Sequence, residues 1–207
     1  MRAARLDLGG FAANCYILSD GKTAAVVDPG ADSSALRRFA EETSLDIKYI
    51  LLTHGHFDHI GGVAFLKSRF PQAQIAIGKE DGFMPLSAEG SLAALFGAEH
   101  TSFTPDILLD DGDELSLGEL KIKAMHTPGH TRGGMVYLAE DIAFCGDTLF
   151  NMSIGRCDFP GSSMEQMRQS LKKLSALPAE TKLYSGHGES STLGYELKYN
   201  PFLREEI

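Results

Sequence analysis

Short apolar runs, each ended by glycine, proline or aspartate, make up the first part of the chain. Residues 2–8, 14–18 and 24–28 are short segments separated by Gly9-Gly10 and Asp20-Gly21, which predicts three extended segments of a β-meander. Asp20-Gly21 favours a hairpin turn between the second segment and the third. The chain therefore opens as antiparallel sheet.

A helix and a buried strand are predicted next. Apolar residues recur at helical spacing after Ser33 and Ser34, either of which can cap the helix. Residues 47–52 form an apolar run with β-branched and aromatic members, which is typical of a strand buried on both faces. A helix over about residues 62–70 and a strand over residues 74–77 follow.

The periodicity weakens between residues 78 and 104. Glycine, serine and proline are scattered there among five large apolar residues: Met84, Leu86, Leu92, Leu95 and Phe96. We interpret these five as core, with a lid or an oligomer contact as the alternative. His100 lies outside any cluster, and we interpret it as a surface residue.

The second half repeats the pattern of the first. Residues 115–117 and 120–125 alternate as a hairpin, and residues 135–138 and 142–145 form another strand pair. A helix with one apolar face is predicted over about residues 163–174. Two runs of strands, each followed by helices, predict an α+β fold in which two β-sheets pack face to face with helices outside.

Composition narrows the class of protein. The chain has 207 residues and no long linker, which predicts one domain over residues 1–207. A net charge of −9 argues against a nucleic-acid partner. The N-terminus lacks the apolar core of a signal peptide and no run reaches membrane-spanning length, so we expect a cytoplasmic protein without a membrane partner. Three cysteines without CxxC spacing predict reduced thiols.

The densest chemistry lies directly after the predicted strand at residues 47–52. The stretch Thr53-His54-Gly55-His56-Phe57-Asp58-His59 places three imidazoles and a carboxylate within six positions. These groups would fan around a helix, so we expect a loop. Imidazole and carboxylate are ligands that zinc, iron, manganese and cobalt prefer, whereas calcium takes oxygen ligands. A His-rich surface loop without a metal is the alternative.

Three further junctions between a strand and a loop carry candidate ligands. His126-Thr127-Pro128-Gly129-His130 offers two histidines, of which His130 follows a tight turn and is favoured. Asp147 ends an apolar strand, and His187 lies between Gly186 and Gly188. Each signal is weak alone, because a strand-end Asp is usually a turn residue. Their combination with the first stretch is specific.

That combination resembles the metallo-β-lactamase superfamily, whose fold is a four-layer αββα sandwich of two mixed β-sheets. Within it, the chain is most similar to glyoxalase II (hydroxyacylglutathione hydrolase), and its ending to the short bacterial form. The supporting segments are residues 146–150, residues 154–161 and the run from Gly186 to Leu203. The resemblance covers nearly the whole chain.

The resemblance implies two divalent metal ions, with zinc favoured and iron or manganese as alternatives. It places His54, His56 and His130 on one metal. It places Asp58, His59 and His187 on the other, with Asp147 bridging both and holding a metal-bridging hydroxide. Asp58 would also orient the hydroxide as a catalytic residue.

Supporting roles are implied less directly. The family has an Asp at the position of Asp28 that supports the site without binding metal, and a structural cap is the equal alternative. His126 is a candidate for orienting a ligand loop. Cys157 stands where relatives commonly have Thr or Ser, and we interpret it as neutral in preference to a redox role.

The implied activity is hydrolysis of a small thioester such as S-lactoylglutathione, since two metals sharing a water favour attack on a carbonyl. Longer relatives bind the glutathione carboxylates through a C-terminal region, and this chain ends about twenty residues after His187. We therefore expect Arg156, with Lys198 or Arg204 as alternatives, to bind an anionic substrate, unless Arg156 pairs with Asp158.

Other classes of function share part of this pattern. A mononuclear iron persulfide dioxygenase has the same fold, much of the His/Asp set and a similar Gly-Arg-x-Asp-Phe loop. A lactone or other ester hydrolase would use the same chemistry. A non-catalytic metal-binding module is disfavoured because every ligand position is filled, and a nuclease is disfavoured by the acidic charge.

Overall fold

The computed structural model describes residues 1–204, in which two mixed six-stranded sheets face each other. The first sheet has its strands in chain order: β1 (Arg2–Leu6), β2 (Cys15–Ser19), β3 (Thr23–Val27), β4 (Asp46–Leu52), β5 (Gln74–Gly78) and β6 (Ile107–Leu109). The second sheet has the spatial order β7 (Glu114–Leu117), β8 (Leu120–His126), β9 (Met135–Ala139), β10 (Ile142–Gly146), β13 (Lys182–Ser185) and β14 (Ser191–Thr192). A small ribbon pairs β11 (Leu149–Phe150) with β12 (Ser153–Ile154).

Seven α-helices are assigned within residues 1–204: α1 (Ser34–Glu42), α2 (Phe57–Ile60), α3 (Val63–Arg69), α4 (Ala93–Phe96), α5 (Met164–Leu174), α6 (Leu193–Tyr199) and α7 (Pro201–Arg204). Two short 3₁₀ helices lie at Lys79–Asp81 and Met84–Leu86. The first residue of α1 follows Ser33, whose hydroxyl accepts a hydrogen bond from the Leu36 amide. That bond satisfies one of the free amides at the helix start.

Strand β4 explains why the chain folds into layers. Its Ile50 and Leu52 pack with the outer helices, while Tyr49 and Leu51 face the second sheet. A strand covered on both faces carries a continuous apolar run, because alternate side chains point to opposite sides. The apolar run at residues 47–52 therefore supplies side chains both to the interface with the outer helices and to the interface with the second sheet.

Three buried apolar clusters separate the layers. One lies between α1, α3 and the first sheet, one between the two sheets, and one between the second sheet and α5. The order helix, sheet, sheet, helix confirms the predicted α+β four-layer sandwich of two mixed sheets. Tyr137 ties the sheets together, because its hydroxyl donates to the Leu52 carbonyl at 2.7 Å across the interface.

Parallel pairing brings several strand ends to one edge of the sandwich. β3, β4 and β5 run parallel, as do β10 and β13. Loops leaving the carboxyl ends of parallel strands meet at the same edge of a sheet. Candidate ligands that follow β4, β8, β10 and β13 can therefore converge.

Some expectations from the sequence need correction. The loop expected at residues 54–59 contains the helical turn α2, which carries Asp58 and His59. The large apolar residues of segment 78–104 are mostly not core: Leu86, Leu95 and Phe96 are at least half exposed, whereas Met84 is buried. His100 is half-buried and pairs with the Ser91 hydroxyl at 3.0 Å, so it is not a simple surface residue.

Two further expectations concern extent and environment. The one-domain organisation stays a prediction, and residues 205–207 of its range lie outside the described residues. Within residues 1–204, the helices are all too short or too polar to traverse a lipid bilayer.

Candidate metal centre

All seven residues predicted as metal ligands lie together at one edge of the sandwich. They arrive from both sheets and fall into overlapping groups of three whose nitrogen and oxygen ligand atoms lie within 4.8 Å of one another. The seven are His54, His56, Asp58, His59, His130, Asp147 and His187. The first four follow β4, and the others follow β8, β10 and β13.

The first group contains three buried histidines, His54, His56 and His130. The Nδ1 atom of His56 and the Nε2 atom of His130 are 2.9 Å apart. His130 uses its other nitrogen, Nδ1, to donate to the Arg156 carbonyl at 2.8 Å. That bond fixes the ring so that the Nε2 lone pair points into the group, as a metal-binding histidine requires.

The second group contains Asp58, His59 and His187. The Nε2 atom of His187 is 3.2 Å from Asp58 Oδ2, and the Nε2 atom of His59 is 3.9 Å from the same oxygen. The helical turn α2 carries Asp58 and His59. The His59 ring also touches the first group, because its centroid lies 4.0 Å from that of His54.

Asp147 lies between the two groups. Its Oδ1 atom is 3.3 Å from His59 Nε2, while its Oδ2 atom is 3.5 Å from His130 Nε2 and 3.8 Å from His187 Nε2. Gly186 allows this close approach, because a Cβ there would lie 2.4 Å from Asp147 Oδ1. One carboxylate thus reaches ligands of both groups.

The donor atoms fit a metal and fit poorly without one. His54 Nε2, His59 Nε2 and Asp147 Oδ1 are buried, and none has a hydrogen-bond partner. Leaving a buried polar atom unpaired costs about 1–3 kcal/mol. Imidazole nitrogens and carboxylate oxygens are the donor set of zinc, manganese and iron sites. The residues present could therefore hold two such ions, one in each group.

Asp28 fixes one histidine in each group from outside. Its Oδ1 accepts from the Thr53 amide at 2.8 Å, and its Oδ2 accepts from the Thr53 hydroxyl at 2.7 Å and from His59 Nδ1 at 2.9 Å. The Thr53 hydroxyl in turn lies 3.2 Å from His54 Nδ1. Of the two alternatives for Asp28, the structure therefore favours support of the site.

Burial sets the charge of the first group. It lowers the pKa of His54 well below the ordinary value, and the neighbouring histidines lower it further. Burial and the proximity of His130 lower the pKa of His56 to about 3. Both rings are neutral at physiological pH, which leaves their lone pairs free for a metal.

The second group is held by opposite charges. Burial acts to lower the pKa of His59, but the carboxylates of Asp28, Asp147 and Asp58 outweigh it and raise that pKa well above the ordinary value. The hydrogen bond that His187 donates to the Asp58 carboxylate raises the pKa of His187. Burial acts to raise the pKa of Asp147, but His59 outweighs it and lowers that pKa. A divalent cation would take the place of these protons.

Five of the seven residues line a cleft of about 980 Å³: His56, Asp58, His130, Asp147 and His187. Its walls are mainly aromatic and aliphatic, with rings from Phe11, Phe57, Phe96, Phe150 and Phe159. Arg156 lines the cleft and donates to Asp158 at 2.6 and 2.7 Å, so the alternative ion pair is present. Its binding of an anionic substrate stays a prediction. Lys198 and Arg204 do not line the cleft.

Two supporting residues hold the His130 loop. His126 Nε2 bonds to the Arg132 carbonyl at 2.8 Å, which agrees with its suggested role in orienting that loop. The second is Asp81, for which the sequence pattern gives no signal. Its buried carboxylate accepts from the Thr131 hydroxyl at 2.6 Å and the Gly133 amide at 2.7 Å.

The cysteines take no part in the centre. Cys15, Cys145 and Cys157 are free thiols. Burial raises the pKa of Cys145 to about 12 and also raises the pKa of Cys157. A protonated thiol is a poor nucleophile and a poor metal ligand.

Comparisons with known proteins agree with this geometry. Residues 8–187 match the model of the metallo-beta-lactamase superfamily. Hydroxyacylglutathione hydrolase GloC of Haemophilus influenzae is 36% identical over 202 residues, which cover 95% of each chain. The crystal structure of the BLEG-1 B3 metallo-beta-lactamase matches with a TM-score of 0.92 and 34% identity, covering 98% of this chain and 100% of that one. That of TTHA1623 in a di-iron-bound form matches with a TM-score of 0.87 and 33% identity, covering 97% and 100%.

Proposed function

The chain belongs to the metallo-beta-lactamase superfamily, and on that basis we propose that it is a metal-dependent hydrolase that cleaves a small thioester. The observation that carries the proposal is the position of Asp147 between two groups of three ligands. A carboxylate that reaches ligands of both groups can serve two ions at once. The similarity to a hydroxyacylglutathione hydrolase supports the same class of substrate.

In the proposed site, His54, His56 and His130 would hold one ion and Asp58, His59 and His187 would hold the other, with Asp147 within reach of both. The ions, once bound, would supply an activated water and would polarise the substrate carbonyl. Zinc is favoured for this role, while the di-iron form of TTHA1623 supports iron as an alternative.

The protein residues position the reaction. Asp58 and Asp147 are ionised, because neighbouring histidines lower both pKa values, and their oxygens can accept hydrogen bonds from a water at the cluster. Phe159 packs edge-on against His56 and His130 with ring centroids 5.5 and 6.1 Å apart, which keeps bulk water from that side. A thiolate leaving group is stable near neutral pH, so the reaction needs no strong general acid.

Hydrolysis of S-lactoylglutathione by purified protein tests the proposal. The protein is stripped with a chelator and reloaded with zinc, iron or manganese, and metal content per chain is measured beside turnover. We expect close to two ions per chain, turnover that the metal restores, and loss of turnover in His54→Ala and Asp147→Ala. His100→Ala and Asp141→Ala are matched controls, because each removes the same side chain outside the cluster.

Two outcomes would contradict the proposal. Failure to hydrolyse this and an uncharged thioester with any of the three metals would exclude thioester hydrolysis. One iron per chain, together with oxygen uptake on addition of glutathione persulfide, would instead support the persulfide dioxygenase alternative. The metal count and the oxygen electrode therefore separate the two reactions independently.

A further inference from the structure

One wall of the cleft is a continuous aromatic surface, which we call the aromatic wall and define as Phe57, Phe96 and Phe159. The rings of Phe57 and Phe96 are 5.4 Å apart, and those of Phe96 and Phe159 are 6.0 Å apart. Because Phe159 packs against two histidines of the first group, the wall begins at the cluster and leads outward.

Aromatic surface also borders the other side of the cleft. The ring of Phe150 is 6.0 Å from that of His187 in an edge arrangement. Phe11 lines the cleft with 91% of its surface exposed, and Phe96 is 53% exposed. Large exposed aromatic surface inside a concave site is typical of contact with an apolar ligand, because burying it is favourable.

The charged side chains that line the cleft provide little attraction for an anionic substrate. Among the described residues that line it, Arg156 is the one charged side chain outside the metal ligands. Its Nε and Nη2 atoms donate to the two Asp158 oxygens, and its guanidinium lies 4.1 Å from the centre of the Phe159 ring. The Asp158 carboxylate offsets the charge of the guanidinium. Arg156 therefore offers a substrate mainly the flat face of an ion-paired group.

We propose that the cleft selects thioesters whose acyl and thiol parts are both uncharged and apolar, in preference to thioesters of the anionic thiol glutathione. The proposal rests on the proposed thioester hydrolysis and specifies the class of its substrate. The apolar groups pack against the aromatic wall and Phe11, while the thioester carbonyl faces the cluster.

The first experiment compares two substrates with the same acyl group. S-hexanoyl-N-acetylcysteamine and S-hexanoylglutathione contain the same thioester and differ in the charge and the size of the thiol part. We expect kcat/KM of the metal-loaded protein to be at least about tenfold higher for the uncharged ester. An equal or higher value for the glutathione ester would overturn the selectivity and leave thioester hydrolysis standing.

Two variants separate the wall from the charge. Phe96→Ala should lower kcat/KM for the uncharged ester by about tenfold, whereas the matched control Leu95→Ala, an exposed neighbour outside the cleft, should leave it within about twofold. Asp158→Asn should release Arg156 and raise kcat/KM for the glutathione ester by up to about fivefold. Equal effects of the two alanine variants, or no gain in Asp158→Asn, would contradict the proposed contacts.

A binding measurement decides the selectivity even if neither ester is hydrolysed. The chain contains no tryptophan, so Phe96→Trp places a single indole fluorophore in the aromatic wall. The metal-loaded variant is titrated with two thioethers that cannot be hydrolysed, N-acetyl-S-hexylcysteamine and S-hexylglutathione. Tighter binding of the uncharged thioether supports the proposal. Equal or tighter binding of the glutathione thioether refutes it, whereas absence of turnover alone would refute only the proposed reaction.

Discussion

Replacing Asp28 by asparagine should disable both metal groups while changing one atom. The new amide group would occupy the position of Asp28 Oδ2, which now accepts from the Thr53 hydroxyl and from His59 Nδ1. As a donor, it would require His59 Nδ1 to accept and would move the ring proton to Nε2. The Thr53 hydroxyl would likewise turn toward His54 Nδ1, which moves the proton of that ring to its Nε2 atom.

The size of the effect follows from these contacts. Asp28 Oδ2 lies 2.7 Å from the Thr53 hydroxyl and 2.9 Å from His59 Nδ1, and the Thr53 hydroxyl lies 3.2 Å from His54 Nδ1. The substitution therefore acts on His59 directly and on His54 through one hydroxyl. Removing an outer partner of a metal-binding histidine typically costs about 10–100-fold in metal affinity, or roughly 1.4–2.7 kcal/mol. Because one histidine in each group is affected, we expect this loss at both sites. Asn tolerates the left-handed conformation of residue 28, whose φ is 49°, so the backbone should keep its shape.

The assay is competition with a chelator of known zinc affinity, followed by measurement of zinc per chain. Asp28→Asn is compared with Asp141→Asn, which removes the same charge at an exposed ion pair with Lys182. Circular dichroism confirms that both variants are folded. A zinc content equal to that of the wild type in Asp28→Asn, with a zinc affinity within about threefold, would show that Asp28 does not set the protonation of the two rings.

Two other substitutions test how the backbone holds the site. In Gly30→Ala the new Cβ would clash with the Asp58 carbonyl oxygen, so the Asp58 backbone must move. We expect selective loss of one metal ion and a lower melting temperature. A full metal complement would contradict this expectation. Asn200→Ala removes a side chain that donates to the carbonyls of Phe150 and Ser153, the ribbon that carries Phe150 into the cleft. We expect KM to rise with kcat within about twofold and the free energy of unfolding to fall by about 1–3 kcal/mol; a fall in kcat alone would count against it.

The strands and the candidate ligands could be predicted because their signals are local. The apolar run at residues 47–52 is buried on both faces as expected, and each predicted ligand follows the end of a strand. Parallel pairing of the strands then places these ends at one edge, so the motifs need not specify contacts that are distant in sequence. The fold class and the convergence of the seven residues are therefore properties that a pattern can indicate.

The remaining features depend on contacts that no local pattern records. The turn α2 has only four residues, too few for a helical period, and the Phe57 amide is held by the Ser91 carbonyl at 3.0 Å. The apolar residues of segment 78–104 look like core because hydrophobicity does not distinguish a cleft wall from an interior. Phe96 lines the cleft beside Phe159, which lies between β12 and α5 and is therefore distant in sequence.

The cluster also constrains the order in which the protein can assemble. His56 and His130 are in contact although 74 residues separate them along the chain, so their meeting requires the two sheets to have docked. Contacts between residues so distant in sequence form late in folding, because closing the intervening loop costs entropy before the contact contributes any favourable free energy. The stretch from His54 to His59 can offer donors to an ion in the unfolded chain, but tight coordination has to wait for the second half. Metal uptake should therefore follow the final docking step in refolding and serve as its reporter.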